Sequence, residues 1–398
     1  MILKDFRGLK LPMLGFGAMR LPVVKTDTGT EIDVTETEKM VDLAMSSGVN
    51  YFDTAYPYHG GKSEIVIGEL LRKYPRESYY LADKYPGHQL RDEYRPDEVF
   101  EDQLKKCGVD YFDFYLLHNV NEKSMEVYLD PKWGIIDYFK EQKRRGRIKH
   151  LGFSTHAAVE GLEKFLRLHG ADMEFCQIQL NYLDYKLQDA RRKVELLNEY
   201  RIPIWVMEPL RGGRIVNLPE YEIENIRRVS STCGAVSLAF RWLMGIPGVT
   251  VVLSGMSNME QLRDNISTFQ RLDPTNEEEN LLLSDIADRL MSAVPCTGCR
   301  YCTDGCPMGL DIPMLISVYN ELKYAKTVNA AMRVEFLPDD KKPGACIACG
   351  KCRVSCPQNI DIPTVLYELS EMMKETPSWR EICKKRSEEE RALKGGGA

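Results

Sequence analysis

No run of about 18 consecutive apolar residues occurs in the sequence, so no transmembrane helix is expected. The opening stretch, MILKDFRGLKLP, carries Asp5 and lacks an apolar core, so a secretory signal is not expected either. Basic residues are not in excess. Against 53 Lys and Arg stand 59 Asp and Glu, a net charge of −6, which argues against a nucleic-acid or anionic-membrane surface. No G-x-G-x-x-G follows the first apolar run, which speaks against a doubly wound dinucleotide sheet. Cysteine is sparse through the first 290 residues, where only Cys107, Cys176 and Cys233 occur, most simply as small buried apolar groups. These absences lead us to expect a cytoplasmic protein whose cysteines are not a disulfide framework.

What is present is ordinary for a folded chain: 43% hydrophobic and 28% charged residues. A length of 398 residues exceeds one ordinary core, so two domains are expected. Up to about residue 270, short apolar runs alternate with segments of helical period. The runs are 14–19, 50–53, 79–84, 111–118, 150–154, 174–181, 202–208 and 248–255. Among the segments between them are 35–48, with Thr35 and Gly48 as caps, 97–108 and 137–146. Eight strand–helix repeats predict an α/β fold, a (β/α)8 TIM barrel. Such barrels carry their chemistry where the strands end. Those ends offer Asp53, Lys84, His118, Ser154, Asn181, Glu208 and Ser254.

In FDTAYPYHGGKSE, Asp53 and Tyr58 straddle the exit of the second strand, while Lys84 and His118 end the third and fourth. A phenol near pKa 10 is a poor acid–base group at neutral pH, and a buried ammonium beside it favours phenolate. The ammonium in turn needs a carboxylate partner to be buried at acceptable cost. From about residue 10 to 270 the chain resembles the aldo/keto reductases. The resemblance implies a catalytic tetrad. Tyr58 is the proton donor to a carbonyl oxygen as hydride arrives from nicotinamide. Lys84, paired with Asp53, lowers the Tyr58 pKa, and His118 orients the carbonyl.

The resemblance also implies a set of NAD(P)H contacts. Ser154, Thr155 and Gln177 bind the nicotinamide amide, Ala18 and Met19 line its pocket, and Met207 packs on the ring. Gly255, Ser257, Gln261 and Asn265 match the phosphate loop after the last strand. NADP-preferring relatives grip the 2′-phosphate with a cation here; this chain offers Met256 and Gln261, with Arg263 nearby. Arg211 and Arg214 either reach the pyrophosphate or are solvated. The loop 119–134 is expected to shape the substrate pocket, with Trp133 as an aromatic wall.

Beyond the barrel, CTGCRYCTDGCPMGLDIP (296–313) returns as CIACGKCRVSCPQNIDIP (346–363). Both are C-x2-C-x2-C-x3-C-P, the spacing of cysteines that hold 4Fe–4S clusters, in which the fourth cysteine of a run ligates the other cluster. Two clusters are expected: one on Cys296, Cys299, Cys302 and Cys356, the other on Cys346, Cys349, Cys352 and Cys306. A pair of four-cysteine zinc sites is the alternative. Helix-period segments after each run suggest a mainly α-helical ferredoxin-like domain. The expected organisation is a barrel over 1–272, a connecting helix over 273–290, a dicluster domain over 291–380 and a charged tail over 381–398.

These readings point to an oxidoreductase that moves a hydride between NAD(P)H and a small carbonyl or alcohol, with no nucleic-acid or membrane partner. No flavin motif links hydride to one-electron clusters, so the clusters are either structural, act on a bound substrate or serve a redox partner protein. The alternatives are an electron-transfer subunit whose barrel is a scaffold, and a nicotinamide-binding regulatory subunit like those of potassium channels.

Overall fold

The computed structural model describes residues 1–388 apart from 27–28, 88, 90–92, 214, 217, 219, 231–232, 272, 292–293, 295, 297–299, 325–327, 357–359 and 386–387. Each of the eight apolar runs holds one strand of a closed parallel barrel: β1 (Leu14–Gly17), β2 (Tyr51–Asp53), β3 (Tyr80–Tyr85), β4 (Phe112–Val120), β5 (Ile148–Thr155), β6 (Cys176–Gln179), β7 (Ile204–Met207) and β8 (Val249–Ser254). The ring closes where Leu14 pairs with Val252 and Phe16 with Ser254. Runs such as Phe114–Leu117 are apolar on consecutive residues because the barrel interior covers one face of the strand and the helix layer the other.

The helices that alternate with these strands include α1 (Val34–Ser46), α2 (Lys62–Leu71), α3 (Pro96–Cys107), α4 (Ile135–Arg144), α5 (Val159–His169), α6 (Ala190–Glu199), α7 (Ala235–Met244) and α8 (Met259–Arg271). The expected Thr35 cap of α1 is incorrect. Asp33 caps it, its Oδ1 accepting the Glu36 N–H at 2.9 Å, so the helix starts two residues earlier. Pro96 opens α3 and Gly108, at φ 65°, closes it. Gly68 on α2 is required by packing: a Cβ there would lie 2.4 Å from the Cys107 carbonyl oxygen.

A hairpin of two short strands, Leu3–Phe6 and Leu9–Pro12, packs against the entry halves of the strands. The Phe6 ring sits 5.1 Å from Trp205, 5.6 Å from Phe114 and 5.0 Å from His150. Leu11, Tyr51 and Val251 complete this plug. With the entry end filled by aromatic side chains, polar side chains are accommodated at the exit end.

The chain divides into two compact units, 1–185 with 189–280, and 186–188 with 281–398. α9 (Glu277–Met291) runs across this division, and α10 (Ile312–Tyr324), α11 (Val328–Glu335) and α12 (Ile362–Glu375) follow in the second unit. Leu315, Ile316 and Tyr319 of α10 share a core with Val334 of α11 and Leu366 and Leu369 of α12. The repeated D-I-P is a helix start: Asp361 stands at the cap of α12 with a proline in the first turn, and Asp311 Oδ1 accepts the Met314 N–H at 3.4 Å at the start of α10. Among the described residues no helix is long and apolar enough to cross a membrane.

Candidate active site and cluster centre

β2, β3 and β4 are neighbours in the barrel, and their exit halves bring Asp53, Lys84 and His118 together. Tyr58 joins them from the turn Tyr58–Gly61 that follows β2. Lys84 is completely buried; its Nζ donates to Asp53 Oδ1 at 2.5 Å and to the Thr54 carbonyl at 2.6 Å. The ammonium stands 4.9 Å from the Tyr58 ring centroid. The His118 ring meets the same phenol edge-on, with centroids 6.1 Å apart. The Tyr128 hydroxyl donates to the His118 carbonyl at 2.7 Å and ties down the end of β4.

Burial works against the Lys84 charge, but Asp53 and the Tyr58 oxygen outweigh it, so its pKa is raised. Burial likewise raises Asp53 against the pull of Lys84. For Tyr58, burial is the largest influence and pushes the phenol above its ordinary value; Lys84 lowers it and Asp53 raises it. The expected direction of the Lys84 effect is present, but the expected net lowering is not. Desolvation outweighs the ammonium, and the phenol is held protonated, the form a proton donor needs.

Behind Lys84, on the helix side of β3, lies a second buried group of charges that the motifs did not reveal. Asp83 and Glu64 are both fully buried and hydrogen-bonded to each other. Gln103 Nε2 donates to Glu64 Oε1 at 3.0 Å, Lys106 Nζ lies 3.1 Å from Glu64 Oε2, and the Cys107 thiol is 3.8 Å from Asp83 Oδ2. Lys84 turns its ammonium to Asp53 and gives Asp83 Oδ1 only its backbone N–H, at 2.8 Å. Burial, then the neighbouring Glu64, holds the Asp83 carboxyl well above the carboxylate range. A folded-state pKa raised in this way contributes stability that is complete below the unfolded value and is lost as pH rises toward the folded one. Asp83→Asn, which mimics the neutral acid, should therefore gain on wild type by about 1.4 kcal/mol per pH unit above about pH 4 until the folded value is reached. Denaturant unfolding across pH reads this; a gap between the two proteins that does not change with pH would refute a neutral Asp83.

The expected cofactor residues also lie at the exit end. Gln177 of β6 pairs in register with Ser154 of β5, and Gln179 with Met207 of β7. Gln177 Oε1 is buried with no hydrogen-bond partner among the described residues, an acceptor that an amide N–H would satisfy. Ser154 Oγ accepts the Asn119 N–H at 2.8 Å and keeps its own proton to donate. The Thr155 hydroxyl is already engaged, donating to the Val120 carbonyl at 2.7 Å and accepting from Ala157 N–H at 3.0 Å. Ala18 is buried and Met19 exposed in the turn after β1. After β8, Gln261 Oε1 accepts the Ser257 N–H at 2.8 Å and Asn265 Nδ2 donates to Ser254 Oγ at 2.9 Å, shaping the loop that begins at Gly255.

Two arginines depart from expectation. Arg211 is neither solvated nor extended toward a phosphate: it is buried, with Nε 3.2 Å from Asp184, because the turn after β7 folds it inward. Arg214 lies outside the described residues. Arg20, which the motifs did not single out, passes between the loops after β7 and β8. A Cβ at Gly255 would lie 3.3 Å from its Cβ, and one at Gly212 would lie 3.0 Å from its Nη2. The only sequence signal for it was its position directly after Met19.

In the second unit, Cys306 of the first run and Cys346, Cys349 and Cys352 of the second line one pocket. Pro307, Met308, Ile347 and Leu366 supply apolar wall. Four thiols around one apolar-walled cavity fit a cubane cluster. Among the described residues no group of three or more His, Cys, Asp or Glu side chains is set to hold a metal ion by itself. Cys296, Cys302 and Cys356 pack with the same core, and Cys299 lies outside the described residues.

The sequence profile of the aldo/keto reductase family matches residues 13–283, and that of the 4Fe–4S dicluster domain matches 295–360. The chain is 23% identical over 287 residues to an NADH-specific methylglyoxal reductase of Escherichia coli, covering 61% of this chain and 82% of that one. It is 28% identical over 298 residues to a probable aldo-keto reductase 1 of Glycine max, covering 66% and 82%. The holo structure of the aldo-keto reductase AKR11C1 from Bacillus halodurans superposes with a TM-score of 0.59 at 23% identity, covering 72% of this chain and 96% of that one. The chain belongs to the aldo/keto reductase family of oxidoreductases and carries a 4Fe–4S dicluster domain C-terminal to its barrel.

Proposed function

We propose that the barrel reduces a small carbonyl compound with NAD(P)H, and that the second unit carries two 4Fe–4S clusters. The observation that carries the reading is a wholly buried ammonium, Lys84, held on Asp53 and set against the Tyr58 ring, with His118 on the same phenol. NAD(P)H supplies the hydride when bound. Tyr58 gives its phenolic proton to the carbonyl oxygen, and the nearby Lys84 ammonium stabilises the phenolate that remains. His118 donates a hydrogen bond that orients the carbonyl. The buried Gln177 Oε1 accepts from the nicotinamide amide and Ser154 donates to it; Met207 packs on the ring, and Arg20 neutralises phosphate charge. One cubane takes Cys306, Cys346, Cys349 and Cys352, the other Cys296, Cys299, Cys302 and Cys356.

The test is nicotinamide oxidation by anaerobically purified protein with methylglyoxal and a series of simple aldehydes, the first compound being suggested by the Escherichia coli relative. Turnover that persists after the clusters are removed supports the barrel as the catalyst. Absence of turnover on every carbonyl, together with reducible clusters, would support the electron-transfer reading instead. Cofactor choice is a separate prediction. Gln261 is bound back onto the Ser257 amide and Met256 is buried, so the phosphate loop offers no cation of its own there. NADH is expected to bind at least as tightly as NADPH at low salt. A preference for NADPH of roughly 100-fold, the size of a good charge-assisted contact, would show that a cation such as Arg263 reads the 2′-phosphate.

A further inference from the structure

We infer that His59 is a positioning residue that ties the nicotinamide-lining segment Ala18–Leu21 to the turn bearing Tyr58, by accepting the Leu21 N–H through its Nε2. The inference rests on the hydride-transfer reading above.

His59 directly follows Tyr58 and has φ 52° and ψ 39°, a left-handed backbone that costs any residue with a Cβ. Gly60 and Gly61, at φ 63° and 85°, adopt similar conformations without that cost. The side chain that bears this cost makes a specific contact. Its Nε2 lies 3.1 Å from the Leu21 amide nitrogen and accepts its proton. Leu21 is only 2% exposed, so water offers that N–H no substitute partner.

The same segment is held elsewhere. Ser63 Oγ donates to the Ala18 carbonyl at 3.0 Å and Ser257 Oγ to the Arg20 carbonyl at 2.9 Å. Three side chains, from the Tyr58 turn, from α2 and from the loop after β8, thus fix Ala18, Arg20 and Leu21. Of the three, only the imidazole titrates. Protonating Nε2 would replace the acceptor by a donor facing a donor, and the tie would be lost. The charged groups on the packed elements are Arg20, Lys62, which lies 3.6 Å from Glu31, and Glu64, which is bound to Gln103 and Lys106. Burial lowers the His59 pKa below its ordinary value, so the acceptor survives through neutral pH and fails only in acid.

The experiment is a pH series of NADH dissociation constants on the full-length, cluster-loaded protein, read by nucleotide fluorescence without oxygen. Wild type should bind with constant affinity near neutral pH and weaken about tenfold as His59 becomes protonated. His59→Gln keeps an acceptor that does not titrate. It should retain neutral-pH affinity within about threefold and lose the acid weakening. His59→Leu leaves the Leu21 N–H buried and unmatched, and should bind about tenfold more weakly at neutral pH. Should the leucine variant fail to fold, wild type and His59→Gln still decide the question: an acid weakening that persists in His59→Gln overturns the inference. A folded His59→Leu that binds as wild type does overturns it as well, leaving hydride transfer standing. Wild-type protein that binds neither NADH nor NADPH at any pH overturns the hydride-transfer reading and this inference with it.

Discussion

Tyr58→Phe is expected to lower kcat/KM for carbonyl reduction by about 10²–10⁴-fold while nicotinamide affinity stays within about twofold. The substitution removes one oxygen and its proton and keeps the ring that packs against His118 and Lys84. The loss should therefore fall on kcat, because the proton is delivered only as the carbonyl oxygen gains charge. Unchanged turnover would remove Tyr58 from the mechanism. Lys84→Met should be comparably damaging and should shift the pH optimum of the residual activity upward. Without the ammonium, nothing offsets the burial that already raises the phenol. It also strands Asp53 in a dry site, so the fold of this variant must be checked by unfolding before its rate is read.

Cys306→Ala should remove one cluster and leave the other. The same pocket is lined by Cys306, Cys346, Cys349 and Cys352, so the alanine should break the proposed cubane built mainly from the second run. Iron should fall from about eight to about four atoms per chain, with acid-labile sulfide falling in step. Electron paramagnetic resonance of the reduced variant should show a single centre without the spin coupling of a pair. Loss of the first-run centre instead would mean that each run binds its own cubane. Zinc in place of iron in anaerobically purified wild type would reject the assignment outright.

The sequence by itself determined the barrel strands and the inventory of reactive groups, though not the hairpin Leu3–Phe6/Leu9–Pro12. Consecutive apolar residues mark strands covered on both faces, and helical period marks the segments between them; both are local patterns, and all eight strands are found where those patterns stand. The spacing of eight cysteines in two runs is likewise local and belongs to the matched dicluster domain. The placement of Asp53, Lys84 and His118 at one end of the barrel was readable because the side chains closing an apolar run are those that a parallel barrel presents at its exit end, whereas Tyr58 comes from the turn after the strand.

What only the tertiary structure decided depends on which groups cover each other after the ring closes. Whether Lys84 or desolvation controls the Tyr58 proton is a balance between a charge at a set distance and the water removed around the phenol, and no motif encodes the second quantity. Arg211 looked available in the sequence and is buried on Asp184, whereas Arg20 looked ordinary and lies between two glycines from other loops. Asp83 and Glu64 are 19 positions apart in sequence and meet only in the fold, one from β3 and one from α2. Cys306 lines a cavity with three cysteines that come 40 or more residues later in the chain. Hydrogen bonds and desolvation act across these long separations, and they take effect only when the fold brings the partners together and excludes water from between them.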